Sequence, residues 1–276
     1  MSTWILLRGL TRETRHWGAF APTFERIVGA ADPDARCIPI ELPGNGDANA
    51  ERTPAQVAEI VASVRATAAR IAPGTPYRVL AMSLGGMVAT AWAQRHPDDI
   101  ERLVLINTSM RPLCGVTQRL RPAAWPHLVS IIARWRRADA CENAIHALTC
   151  NADAQRAHEV AVWAEIRRSR PVASANALRQ LLAAARFVAE RAPPRCPALI
   201  LSAARDRLVD PVCSARIAKH WGAAHLEHPR AGHDLPHDDP VWTSEAVRDW
   251  LGWARDPASR VETSRHASAG HAAAGT

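Results

Sequence analysis

The chain has 276 residues, 47% of them hydrophobic and 22% charged, which is enough to bury a sizeable core in one large domain, with or without an insertion. Its formal charge of +7 rests almost wholly on arginine, because Lys219 is the sole lysine, and the basic residues are scattered rather than run together. No run of these basic residues forms a tail or is interleaved with aromatics, which excludes a nucleic-acid binder and leaves a solvated basic surface.

In chain order, short apolar runs alternate with helical spacing. Thr3–Leu7 reads as a strand and a helical stretch follows at about Trp17–Val28. Arg36–Leu42 is the next strand. Pro54–Ile71 carries Val57, Ile60, Val61, Val64 and Ile71 on one side of an amphipathic helix. Tyr77–Met82 is a strand, Gly85–His96 a helix that stops before Pro97, and Arg102–Ile106 a continuous apolar strand. From about Met110 to Glu190 strands vanish, and Trp125–Arg136, Cys141–Leu148, Asp153–Arg167 and Ala173–Ala189 all read as helices. Alternation then resumes with a strand at Pro197–Ala203, a helix at Pro211–Trp221, a short strand at Ala224–Glu227 and a final helix at Val241–Ala254.

Buried, unalternating strands separated by helices predict an α/β fold, a mostly parallel sheet with helices on both faces. The all-helical block predicts a cap, so residues 1–109 and 191–254 form the core and 110–190 the cap. Residues 255–276, with almost nothing apolar beyond alanine, read as a disordered tail. The apolar run at Trp4–Leu7 is too short for a signal sequence, and no stretch is apolar enough to span a bilayer. Six cysteines without a Cys-x-x-Cys pair predict free thiols, and with them a cytoplasmic protein.

Open α/β sheets bind ligands beyond the carboxyl ends of their strands, so reactive residues are expected there. Strand, tight turn and helix around Ala81-Met82-Ser83-Leu84-Gly85-Gly86 give the context of a nucleophile elbow, with Ser83 as the nucleophile. The bland reading of Ser83 is an N-cap. A serine needs a base and the base an orienting acid. His233 follows the last strand and Asp206 the strand before it, in the chain order Ser, Asp, His that this fold requires. Asp210 precedes Pro211 and reads better as a helix cap, and Asn107, after the strand ending at Ile106, cannot serve as an anion. The turn Leu7-Arg8-Gly9-Leu10-Thr11 supplies the second half of an oxyanion hole, so the backbone N–H groups of Leu10 and Leu84 are the expected donors.

These pieces, together with Glu41–Gly46, Glu101–Ser109 and Ala204–Pro211, resemble the α/β-hydrolase superfamily over roughly residues 3–254, and within it small capped carboxylesterases such as pimeloyl-acyl-carrier methyl ester esterases. The resemblance implies a serine hydrolase acting on a small-molecule ester or thioester, without cofactor or metal. Two positions depart from the family pattern. Ala81 replaces the usual glycine of the elbow, and Arg8 stands where histidine is usual, either reading a substrate carboxylate or bracing the turn. The arginines of the helical block, Arg111 to Arg170, either meet an acidic carrier protein or form a solvated face. The alternatives from other classes are a non-catalytic ligand-binding member of the fold, and a metal enzyme built on His225, His228, His233 and His237, which Pro229 and Pro236 argue against.

Overall fold

The computed structural model describes residues 2–74 and 76–253; the predicted tail at 255–276 lies outside the described residues. Six strands, β1 (Thr3–Leu7), β2 (Arg36–Ile40), β3 (Tyr77–Met82), β4 (Ile100–Ile106), β5 (Ala198–Ala203) and β6 (Ala224–His228), form one sheet in the order β2-β1-β3-β4-β5-β6. Every neighbouring pair is parallel. The strand side chains divide by parity, as the pleat requires. Ile5, Leu7, Val79, Ala81, Leu103 and Leu105 face α2 (Val57–Ile71) and α3 (Leu84–Arg95), together with α9 (Val212–Trp221). Trp4, Leu6, Leu80, Met82, Val104 and Ile106 face α1 (Phe20–Gly29) and α11 (Pro240–Trp253). Helices on both faces explain why the strands read as continuous apolar runs.

The second and last strands and the first helix shift at their ends. The second strand stops at Ile40 because Leu42 and Pro43 already belong to a tight loop, closed where the Asn45 N–H donates to the Leu42 carbonyl at 3.1 Å. The predicted start of the first helix at Trp17 fails because Thr14–Trp17 is a 3-10 turn and Gly18, with φ 48°, breaks the chain before Phe20.

Between β4 and β5 the described chain holds only helices, apart from a single bridge joining Arg111 and Val188. They are α4 (Val116–Arg119), α5 (Trp125–Ala133), α6 (Ala138–Thr149), α7 (Arg156–Ser169) and α8 (Ser174–Arg186). The four-residue α4 has no apolar periodicity and was illegible in sequence. This segment is clamped to the sheet by a buried charge cluster. Arg12, in the loop after β1, donates to Glu142 Oε2 at 2.6 Å, and Arg167 of α7 donates to Oε1 of the same carboxylate at 2.7 Å. Arg12 lies over the Trp163 ring at 4.4 Å and Arg167 over Trp135 at 4.3 Å, so both guanidinium faces are covered. Other arginines of the segment cap chain ends: Arg111 and Arg119 donate to carbonyls at the end of α8, where helix carbonyls lack partners.

Removing one member of a buried ion cluster leaves uncompensated charge. Glu142→Ala is therefore expected to lose about 3–5 kcal/mol of stability, read as a lowered urea midpoint; a midpoint within error of the parent would remove the clamp.

Candidate active site

Ser83 stands between β3 and α3 with φ 53°, a region that disfavours side chains. The other described non-glycine residues with positive φ are Thr11 and Asn107. All three lie just beyond the carboxyl ends of β1, β3 and β4, which are adjacent in the sheet, so backbone strain concentrates at one edge. The Ser83 hydroxyl makes no capping bond to α3, which removes the N-cap reading. The elbow is possible because Gly85 carries no side chain: a Cβ there would lie 2.5 Å from the Arg8 carbonyl oxygen. Gly9 also crowds the serine, since a Cβ on it would stand 3.0 Å from Ser83 Cβ. Ala81, the departure from glycine, is accommodated fully buried in β3.

His233 and Asp206 are both buried, and their side chains meet at 2.7 Å between Nδ1 and Oδ2. The other carboxylate oxygen of Asp206 accepts the Leu208 and Val209 N–H groups at 2.7 and 2.9 Å. Asp210 instead accepts the Val212 N–H at the start of α9. Burial alone would lower the His233 imidazole; the Asp206 charge and hydrogen bond outweigh it and raise it above its ordinary value of 6.5. Ser83 and His233 line one cavity of about 710 Å³, and no hydrogen bond joins their side chains among the described residues. In this fold such a contact commonly tightens only with substrate bound. Gly9 and Leu10 line the same cavity beside Ser83, and Leu84 opens α3, where the first N–H groups have no helical acceptor.

Arg8 meets a partner that sequence reasoning did not assign. Its Nη1 and Nη2 donate to the two carboxylate oxygens of Asp234 at 3.0 and 2.6 Å, and its guanidinium lies over the Trp17 ring at 4.8 Å. Burial would raise the Asp234 carboxyl, but the Arg8 charge outweighs it and brings the group from 3.8 to about 2. Arg8 also lines the cavity, with Nε left without a hydrogen bond.

Asn107 was dismissed in the sequence as unable to act as an anion, and it does something else. Its Nδ2 donates to the His233 carbonyl at 2.8 Å and the Gly232 carbonyl at 3.2 Å, and its Oδ1 accepts the Ala203 N–H at 2.9 Å. An asparagine tolerates the φ of 46° found there. Asp238 fastens the same turn from the other side, accepting the Gly232 N–H at 2.6 Å and the Asn151 and Ala152 N–H groups at about 3 Å. The histidines weighed together in the sequence have separate partners: His225 meets Ser202, His228 meets Asp239 and His233 meets Asp206.

The sequence model described as serine aminopeptidase, S33, matches residues 28–239, and the chain belongs to that family of α/β-hydrolase-fold hydrolases. Over 111 residues it is 32% identical to a pimeloyl-[acyl-carrier protein] methyl ester esterase of Chromobacterium violaceum, covering 40% of this chain and 39% of that one. Over 108 residues it is 34% identical to the biotin biosynthesis bifunctional protein BioHC of Teredinibacter turnerae, covering 39% of this chain and 17% of that one. The matches therefore span less than half the length of these relatives. An enol-lactonase of Burkholderia xenovorans LB400 shares the fold with a TM-score of 0.69 at 21% identity, over 91% of both chains.

Replacing Arg8 by Leu strands the Asp234 carboxylate. In the parent the depressed carboxyl contributes stability that is complete above its unfolded value near 3.8 and is lost as pH falls toward about 2. In Arg8→Leu burial is opposed only by the weaker His237 and Arg12 charges, the carboxyl moves up, and the deficit of the variant should shrink from pH 7 to pH 4. Thermal melts of both proteins across that range test this; a constant deficit would contradict it.

Proposed function

We propose that the chain hydrolyses a carboxylic ester, or the corresponding thioester, through an acyl-enzyme on Ser83. The observation that carries the proposal is the buried 2.7 Å Asp206–His233 pair, whose histidine lines the same cavity as Ser83. Asp206 holds the Nδ1 proton, which leaves Nε2 as the base. Nε2 takes the Ser83 proton as Oγ bonds to the substrate carbonyl carbon. The carbonyl oxygen becomes an oxyanion, held by the Leu10 and Leu84 N–H groups. Collapse of the intermediate expels the alcohol or thiol, which receives the proton from His233. Water then attacks the acyl-enzyme by the same steps and releases the acid and free Ser83. In this reading Arg8 braces the oxyanion turn through Asp234, and residues 110–190 act as the cap.

The cavity supports an acyl chain rather than a small acetyl group. Leu128, Ile131, Ile145, Leu148, Leu181 and Leu208 line it beyond the serine. Each buried methylene contributes about 0.8 kcal/mol, or up to about fourfold in kcat/KM. At the cavity edge Arg136 and Arg137 are exposed cations. They support an acidic partner bearing the acyl group, and an acyl-carrier protein is named among the substrates of the matched esterases.

Three outcomes are expected. Ser83→Ala abolishes turnover of p-nitrophenyl esters and labelling by a fluorophosphonate, with an unchanged circular dichroism spectrum; a labelled variant or an unlabelled parent would sink the mechanism. Because the neutral imidazole is the active form and its value is raised, kcat/KM should fall as pH drops through a point above 6.5, and Asp206→Asn should move that point down while lowering kcat. For a carrier-linked ester KM should climb with added salt, since screening weakens exposed charges, whereas KM for an uncharged p-nitrophenyl ester should not; equal responses would remove the acidic partner.

A further inference from the structure

The fold brings a histidine from the turn after His233 onto a pair of donor side chains that lies far earlier in the chain. His146 and Cys150 are one helical turn apart at the end of α6, so they share a face. His237 comes from α10 (Leu235–Asp238), on the turn that follows His233. One donor atom from each of the three lies within 4.8 Å of the other two. We propose that His146, Cys150 and His237 form a binding site for a divalent cation of the zinc class, joining the helical segment to the turn that carries His233.

The surroundings are those of such a site. Glu159 of α7 touches both imidazoles: His146 Nε2 donates to its Oε2 at 2.9 Å, and His237 Nε2 lies 3.1 Å from the same oxygen. Metal-bound histidines characteristically present their second nitrogen to a carboxylate, which orients the ring. The remaining nitrogen of His146, Nδ1, has no hydrogen-bond partner although the ring is wholly buried. His237 Nε2 likewise lacks a well-directed hydrogen bond despite its nearness to Glu159. Trp163 packs on both rings, with centroids at 5.4 and 4.9 Å, and excludes water from that side. A cavity of about 280 Å³ is lined by Glu159, Trp163 and His237, so the His237 side of the cluster borders open space.

Charge and chemistry agree. Asp234 and Asp238 lie beside Cys150: the Asp234 N–H donates to the Thr149 carbonyl, and the Asp238 carboxylate accepts the Asn151 and Ala152 N–H groups. The same anions favour a cation beside it. On coordination the thiol loses its proton to solvent and binds as thiolate. One thiolate and one nearby carboxylate then balance a doubly charged ion, and two imidazoles with a thiolate are a donor set that suits zinc. A tetrahedral zinc with bonds of about 2.0–2.3 Å sets its ligands roughly 3.3–3.7 Å apart, so closing the observed triangle takes movements of about an ångström. The scaffold around the site is already fixed, because Asp234 N–H donates to the Thr149 carbonyl at 2.8 Å and Asp238 holds Asn151 and Ala152. The ion thus adds a link between α6, α7 and α10 beside His233.

The test uses the full chain, purified without a histidine tag, stripped with chelator and titrated with Co²⁺. Saturation at one equivalent is expected, with the visible absorption of a tetrahedral site and a thiolate-to-cobalt charge-transfer band that one equivalent of Zn²⁺ abolishes. Zn²⁺ should raise the melting temperature. Cys150→Ser should lose the charge-transfer band, His237→Ala should bind at least about tenfold more weakly, and Glu159→Gln should lose about 10–100-fold, as loss of an orienting carboxylate does. His237 is partly exposed, so its variant remains decisive if Cys150→Ser does not fold. Absence of stoichiometric binding, or an identical titration in His237→Ala, would overturn the site.

Discussion

A buried bidentate ion pair, Arg8 with Asp234, sets the geometry of the sheet's carboxyl edge. Arg8 follows β1 and Asp234 follows β6, so a single contact spans strands that are not neighbours. Neither charge could be taken from water without the other, and a shared fork geometry leaves each little freedom. The pair therefore fixes the Gly9–Leu10 turn and the His233 turn relative to one another. Ser83 rises between them on an elbow that only Gly9 and Gly85 leave room for. Asn107 and Asp238 then hold the His233 turn from two further directions through backbone hydrogen bonds. The arrangement is a set of short tethers, each made by a polar side chain whose own burial demands the partner.

The same logic explains the arginine-rich composition. A high positive charge suggests an extended basic surface, but many arginines in the helical segment and in the loop facing it are used internally. Arg12 and Arg167 share Glu142, Arg119 caps α8, and Arg121 donates to the Asp206 carbonyl at 2.9 Å. The planar guanidinium suits these roles, because it can make several directed bonds while its faces pack on Trp135 or Trp163. What remains for recognition is a small exposed set near the cavity, of which Arg136 and Arg137 are the members that also line it.

Much of the fold was legible because its strands are buried on both faces, which makes apolar runs long and unambiguous, and because helix spacing in α2 and α3 is regular. Element ends were less so: Gly18 and the loop at Leu42 act through local backbone geometry that hydropathy does not register. In the candidate site, Ser83, His233 and Asp206 were singled out by their position after strands, and the geometry brings the latter two into contact. Asn107 and Asp238 were missed as tethers because their roles are made by contacts with distant backbone groups. A signal existed for Asn107, an asparagine directly after a strand where positive φ is tolerated, but nothing local points to its partners.

The sequence by itself determined the alternation of strands and helices, the helical interruption, and the order of serine, aspartate and histidine at strand ends, because period and position along the chain carry that information. Only the tertiary structure decided what Arg8 faces, which carboxylates hold the His233 turn, how Glu142 ties the helices to the sheet, and that His146, Cys150 and His237 converge. Those are contacts between residues tens to hundreds of positions apart. Their existence depends on how the sheet and the helical segment pack, and not on any pattern within a window of sequence.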